Sequence, residues 1–273
     1  MQMAVRAKIT NIRPDVQRLI YLMTALCCAL FLAQCDTHVP VKKTPPPSLF
    51  PESRIVSPST PIQPSVETQI DEIRSLYRAL RLSGKLRYDI FRKAMIGHGR
   101  IGFKRTDIIT IVDYTRPSAE KRLFVIDLKT PRILYHTHVT HGLNSGFIHA
   151  RNFSNELGSK QSSLGFFKTA ETYFGRYGYS LRLDGLEPGI NDLARKRDIV
   201  IHGAPYANPA NIAKYGYLGT SWGCPALPED TTGLIIDAIK EGSCLYIYAD
   251  DQTYLSHSAF VERRRESGGE CQF

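Results

Sequence analysis

Several common signatures are missing from this chain of 273 residues. No block of lysines and arginines stands out in its folded part, although 35 Lys and Arg outnumber 26 Asp and Glu and leave a net charge of +9. Basic charge scattered in this way describes a solvated surface and singles out no anionic partner, so no nucleic acid is read from it. No disulfide framework is present. Of the six cysteines, Cys27, Cys28 and Cys35 fall in or at the end of an N-terminal apolar segment, and the odd trio Cys224, Cys244 and Cys271 remains. No internal repeat is visible. The intervals between the β-rich runs mostly lack room for a helix, which argues against a parallel α/β sheet. What is there suffices for a packed core: hydrophobic residues make up 42% of the chain and charged residues 22%.

The N-terminal 35 residues have an export pattern. Arg6, Lys8, Arg13 and Arg18 precede the uncharged run Leu19 to Ala33, which is slightly short for a membrane-spanning helix. The run ends at Leu32-Ala33-Gln34-Cys35, which resembles a bacterial lipoprotein box with Cys35 as the residue to be lipidated. Gln34 departs from the small residue usual before that cysteine, and conventional cleavage or retention as an anchor fits the same residues. The expectation is export to the periplasm or cell envelope, with Cys35 as a candidate membrane anchor. Residues 36–65 follow as a semi-rigid spacer, because Pro40, Pro45, Pro46, Pro47, Pro51, Pro58, Pro61 and Pro64 hold half of the 16 prolines.

Residues 66–98 read as a helical hairpin. Ile70, Ile73, Tyr77 and Leu80 recur at helical spacing between the capping candidates Ser65 or Thr68 and a stop at Gly84. Tyr88, Phe91 and Met95 repeat the pattern before Gly97. From about residue 99 to 250 the texture changes to short β-rich runs: Ile108 to Tyr114, Leu123 to Leu128, Ile133 to Val139, Leu164 to Ala170, Tyr179 to Leu183, Ile199 to His202 and Leu245 to Tyr248. One helix fits Asp230 to Lys240, with Gly242 as its stop. The expected class is mainly β (α+β), a β-sandwich or barrel carrying a small N-terminal helical hairpin, with a polar tail over 251–273.

Chemistry concentrates in two segments. In Ile199-Val200-Ile201-His202-Gly203 a β-branched run puts His202 at a strand end, where a scaffold can hold the ring still. In Gly219-Thr220-Ser221-Trp222-Gly223-Cys224-Pro225, Gly223 allows close backbone approach and Pro225 fixes the exit direction. A free thiol titrates near 8.5, so a cysteine nucleophile needs an imidazole or a dipole beside it. His202 is the candidate base for Cys224, and the amides of Gly223 and Cys224 are candidate oxyanion donors. Taken singly, His202 also reads as a satisfied strand-end histidine and Cys224 as a small buried hydrophobe. Cys244, inside an apolar run, reads as a buried strand residue.

These segments resemble the active-site region of the YkuD-like L,D-transpeptidase superfamily, in the murein L,D-transpeptidase branch whose motif reads Ser-Trp-Gly-Cys-Pro. Thr140-His141-Gly142-Leu143-Asn144-Ser145-Gly146, Gln161-Ser162-Ser163-Leu164-Gly165-Phe166 and Tyr179-Ser180-Leu181-Arg182-Leu183-Asp184-Gly185-Leu186-Glu187 are similar to further stretches of that branch. The resemblance spans about residues 66 to 250. It implies a YkuD-like β-sandwich or barrel catalytic domain and thiol acyl transfer without a cofactor. Peptidoglycan stem peptides are the implied partners. Cys224 would attack the third stem residue, terminal D-alanine would leave, and a neighbouring side-chain amine would take the acyl group to form a 3→3 cross-link. Water in that role would make an L,D-carboxypeptidase, and loss of turnover would leave a murein-binding lipoprotein.

Two departures stand out. Trp222 occupies the place of a histidine in the wider superfamily, and an indole only donates, so its role is to line the groove or to pack as a wedge. Ala226 replaces a residue usually polar. Ser221 is a candidate to orient His202 or to cap the turn. His141 and Asn144 are groove candidates, and Arg182 is a substrate contact or one half of a surface ion pair. His136 and His138 share a strand face but have no Asp, Glu or Cys partner at ligand spacing, so no metal site is assigned.

Overall fold

A computed structural model describes residues 66–261. The stretches read as an export segment (1–35, with Cys35) and as a linker (36–65), and the end of the tail with Cys271, lie outside the described residues. Among those described, no helix is long and apolar enough to cross a membrane.

Two helices open the fold, α1 (Val66–Ala79) and α2 (Tyr88–Arg100). The hairpin closes on Tyr77, whose hydroxyl donates to the Leu86 carbonyl at 2.6 Å and whose ring meets Tyr88 edge-on at 5.2 Å. Leu82, Leu86, Ile90, Phe91 and Ala94 are buried in the same core as the sheet. Burial of each large apolar side chain contributes about 1.5–3 kcal/mol. Gly97, expected to stop the second helix, lies inside it instead. A Cβ at Gly97 would stand 2.0 Å from Phe166 Cζ, so glycine here lets the helix press onto the sheet.

The strands are β1 (Arg105–Asp113), β2 (Leu123–Asp127), β3 (Arg132–Thr137), β4 (Gly165–Gly175), β5 (Gly178–Gly185), β6 (Val200–Gly203), β7 (Ala226–Leu227) and β8 (Ser243–Tyr248). They form one curled sheet in the order β3-β2-β1-β8-β4-β5-β6-β7. Both β1·β8 and β6·β7 pair in parallel, and the other neighbours are antiparallel. The sheet is therefore mixed, within a mainly β, α+β fold. Intervals between consecutive strands did not reveal the parallel pairs, because β8 inserts beside β1 from the far end of the domain.

Among the described residues three more α-helices follow: α3 (Ala210–Tyr215), α4 (Glu229–Ile239) and α5 (Gln252–His257). Helix α4 buries Ile235, Ile236 and Ile239 and forms the crossover from β7 to β8. Helix α5 lies in the stretch read as a polar tail. Asp251 caps it by accepting from the Tyr254 amide at 2.7 Å, and Tyr254 and Val261 join the core. Cys244 is buried on β8.

Candidate active site

His202 is the next-to-last residue of β6, where it pairs with Ser180 of β5 on one side and Ala226 of β7 on the other. This register brings the two halves of the motif together, because Cys224 lies two residues before Ala226. His202 is 2% exposed. Its Nδ1 is 2.9 Å from the Gly203 carbonyl, which only accepts, so Nδ1 carries the proton and Nε2 keeps its lone pair. Nε2 faces the Tyr206 hydroxyl at 3.5 Å. Tyr177, at the tip of the β4–β5 hairpin, stacks on the imidazole at 4.4 Å. Burial lowers the His202 pKa and the hydrogen bond to Gly203 opposes this less strongly, so the ring is neutral at pH 7.

Cys224 is partly exposed, and its Sγ donates to the Asp198 carbonyl at 3.4 Å. Desolvation pushes the thiol up to about 11, with the Val200 amide and the Arg197 charge pulling the other way. The resting pair is therefore a neutral thiol and a neutral imidazole. A base that takes the thiol proton as the sulfur attacks fits this state better than a preformed thiolate.

The turn holding Cys224 is tied from inside. Ser221 Oγ donates to the Cys224 carbonyl at 2.6 Å and accepts from the Gly223 amide at 3.0 Å. Ser221 thus caps the turn. The Gly223 amide, expected as an oxyanion donor, is committed to that hydroxyl, and the Cys224 amide is the other member of the expected pair. Gly223 itself is needed for its shape. It has φ 124°, and a Cβ there would stand 2.8 Å from the Gln161 carbonyl oxygen. Ser162 Oγ donates to the Gly223 carbonyl and accepts from the Gly142 amide, joining the turn to the 141–146 loop.

His141 does not face a groove. It is 1% exposed, its Nδ1 lies 2.8 Å from Arg122 Nη2, and its Nε2 lies 2.8 Å from the Gly146 carbonyl. Desolvation and the Arg122 charge lower its pKa to about 4, so it accepts from the guanidinium and donates to Gly146. The His141 carbonyl accepts from the Ser221 amide at 3.0 Å, which makes this buried pair a strut behind the cysteine turn. Asn144 donates to the Ser159 carbonyl at 2.9 Å. Arg182 lies 3.5 Å from Glu171 and 3.8 Å from Asp198, the surface ion-pair reading. Trp222 is 72% exposed, with Lys160 Nζ 4.8 Å from its ring centre. His136 and His138 lie 3.2 Å from the carbonyls of Lys121 and Ala119.

Three residues near the site carried no sequence signal: Tyr177, Tyr206 and Arg197. The Arg197 guanidinium donates to the Ser154 and Gln161 carbonyls and to the Ser159 and Ser163 hydroxyls, holding the 154–163 loop against the turn. In the sequence it is one charge in Arg195-Lys196-Arg197-Asp198, a run that reads as solvated.

A family model described as the L,D-transpeptidase catalytic domain matches residues 82–248. The chain belongs to that family. Every candidate site residue except Cys35 falls inside the matched L,D-transpeptidase stretch. No curated protein matches the chain. Solved structures with similarity include an L,D-transpeptidase from Mycobacterium smegmatis at 14% identity and TM-score 0.33, covering 52% of this chain and 59% of that one. Mycobacterium tuberculosis L,D-transpeptidase 1 gives 14% and 0.31, over 52% of this chain and 62% of that one. An L,D-transpeptidase from Stackebrandtia nassauensis gives 12% and 0.32, over 68% and 80%. The chain thus spans under two thirds of the length of the mycobacterial L,D-transpeptidases.

Proposed function

We propose that this chain is a peptidoglycan L,D-transpeptidase of the cell envelope, with Cys224 as nucleophile and His202 as its base. One observation carries the reading: the Nδ1–H of His202 is held by Gly203, which leaves Nε2 as the acceptor, on a strand whose register brings it to the Cys224 turn. In the first half-reaction Nε2 takes the thiol proton while Sγ bonds to the carbonyl carbon of the third residue of a stem tetrapeptide. The tetrahedral intermediate collapses, the bond to D-alanine breaks, and His202 returns the proton to the leaving amine. A side-chain amine of a second stem then attacks the thioester. His202 accepts a proton from it, the thiol is released, and a 3→3 cross-link forms. No step in this scheme calls for a cofactor.

Export to the envelope, with lipidation at Cys35 as one form of it, agrees with a substrate outside the cytoplasm. Trp222, exposed beside the nucleophile, is assigned to the groove wall. The test is incubation of the full chain with purified muropeptides. Cross-linked dimer supports the transferase, and trimmed monomer alone indicates transfer to water. Cys224→Ser and His202→Ala should each abolish product while the circular dichroism spectrum stays unchanged. Full turnover by either variant would overturn the assignment, and murein pulldown without any product would leave a binding protein.

A further inference from the structure

Three arginines lie close together ahead of and beside β6, and two of them are neutralised. Arg195 pairs with Glu171 and Asp184 at 2.6 Å each, and Arg182 with Glu171 and Asp198. Arg197 differs. No Asp or Glu lies within ion-pair distance of it among the described residues, and its four hydrogen bonds end on neutral oxygens. Those bonds use Nη1 twice and Nη2 twice, so all four terminal hydrogens are committed and no fork is left for a substrate carboxylate. What remains uncompensated is the charge.

That charge lies against the cysteine turn, with Nη2 3.5 Å from the place a Gly223 Cβ would take. We propose that Arg197 is a positioning residue for the reaction, whose fixed and unpaired guanidinium supplies the field against which the Cys224 thiolate forms and the sulfur is later released. The inference rests on Cys224 being the nucleophile.

The other groups facing the sulfur do not supply this charge. His202 is neutral, and the Val200 amide is a dipole. The Asp198 carboxylate opposes the thiolate but is 84% exposed and faces Arg182. Tyr206 and Tyr114, which also sense the sulfur, are held protonated by burial. The coupling of Arg197 and Cys224 acts in both directions, the guanidinium lowering the thiol and the thiolate raising the guanidinium.

The test reads the thiol alone, so it does not depend on whether the chain cross-links peptidoglycan. The full chain is alkylated at pH 8 with neutral iodoacetamide and with anionic iodoacetate, and Cys224 is followed by peptide mass spectrometry. In the unmodified protein the iodoacetate-to-iodoacetamide rate ratio should exceed that of a free cysteine peptide, because an unpaired cation draws the anionic reagent. Arg197→Met should slow iodoacetamide about tenfold, the thiolate lost with an opposite charge nearby less the gain in nucleophilicity of a more basic sulfur, and return the ratio to that of the peptide. Arg197→Lys keeps the charge without the fork and should stay within about threefold of wild type. A Ser159→Ala, Ser163→Ala double variant, which loosens the loop and keeps the charge, should stay within the same range.

A wild-type ratio equal to that of the peptide overturns the proposal, whether or not Arg197→Met folds. It is equally overturned if Arg197→Lys or the double serine variant slows as much as Arg197→Met. Loss of muropeptide turnover with these alkylation results intact would count against the transpeptidase reading and not against Arg197.

Discussion

Cys224 should behave at neutral pH as a protonated, slow thiol, and its alkylation profile tests this against the usual picture of an activated cysteine. Desolvation lifts the thiol to about 11, roughly two units above a free thiol. Two units remove about a hundredfold of thiolate at pH 7. The more basic thiolate is also the better nucleophile, by about tenfold over two units at a Brønsted slope near 0.5. The net expectation is iodoacetamide alkylation about tenfold slower than an unhindered cysteine peptide at pH 7. The rate should then climb about tenfold per pH unit until it bends near 11. His202→Ala should leave this profile in place, because the imidazole is neutral in the resting site. The same variant should slow acylation by a stem-peptide donor by about 10²–10⁴-fold, the range for a lost general base. A plateau reached by about pH 8 would refute the reasoning, since it would reveal a thiolate already paired with imidazolium. A bend displaced by His202→Ala would do the same.

Other perturbations follow from the same geometry. Gly223→Ala forces a side chain into φ 124° and against Gln161, which should cost about 1–3 kcal/mol in backbone strain alone; chemical denaturation should show the loss, and Cys224 acylation should fall with it. Arg122→Met leaves the Val139 and Arg116 carbonyls and His141 Nδ1 without their donor. Set against relief from burying a charge, a net destabilisation of about 2–3 kcal/mol is expected, read from urea midpoints, and an unchanged midpoint would remove the strut from the argument. Glu187 is buried, and desolvation raises its carboxyl above 4.5. The folded state then holds the proton more tightly than the unfolded chain. Stability from this group is complete below 4.5 and is lost as pH rises through the raised folded value. Glu187→Gln should flatten that part of the pH–stability curve, and a curve unchanged in shape would show that another group is responsible.

Much of the sheet was legible because β-branched runs bounded by turn residues mark strands with little help from distant chain. Val200–Gly203 is such a run, Ser243–Tyr248 is marked instead by its apolar and aromatic residues, and helix α4 announced itself by its spacing and by Gly242. The two residues of β7 carry no pattern of their own, and they form a strand because β6 offers them a parallel edge. Gly97 looked like a helix stop because nothing local points to Phe166 across the sheet. His141 looked like a groove residue for a similar reason. Its partner Arg122 lies 19 residues earlier, and only the fold turns the imidazole inward. The Ser-Trp-Gly-Cys-Pro turn was readable as a tight turn. The hydroxyl ties from Ser162 and the loop bonds from Arg197 come from other segments and follow no short-range spacing.

The place of β8 has a consequence for how the molecule comes to exist. Among the described residues Ser243–Tyr248 is the last strand in chain order, yet it lies between β1 and β4 and is the strand through which the β1–β3 ladder and the β4–β7 ladder are joined. Until it emerges from the ribosome, two open half-sheets have no common partner, and closing them requires contacts across most of the domain, a slow kind of assembly. A chain broken off before Ser243 would therefore keep His202 and Cys224 but leave two unmated edges. It should be recovered as aggregate or protease-sensitive fragments in place of a smaller enzyme.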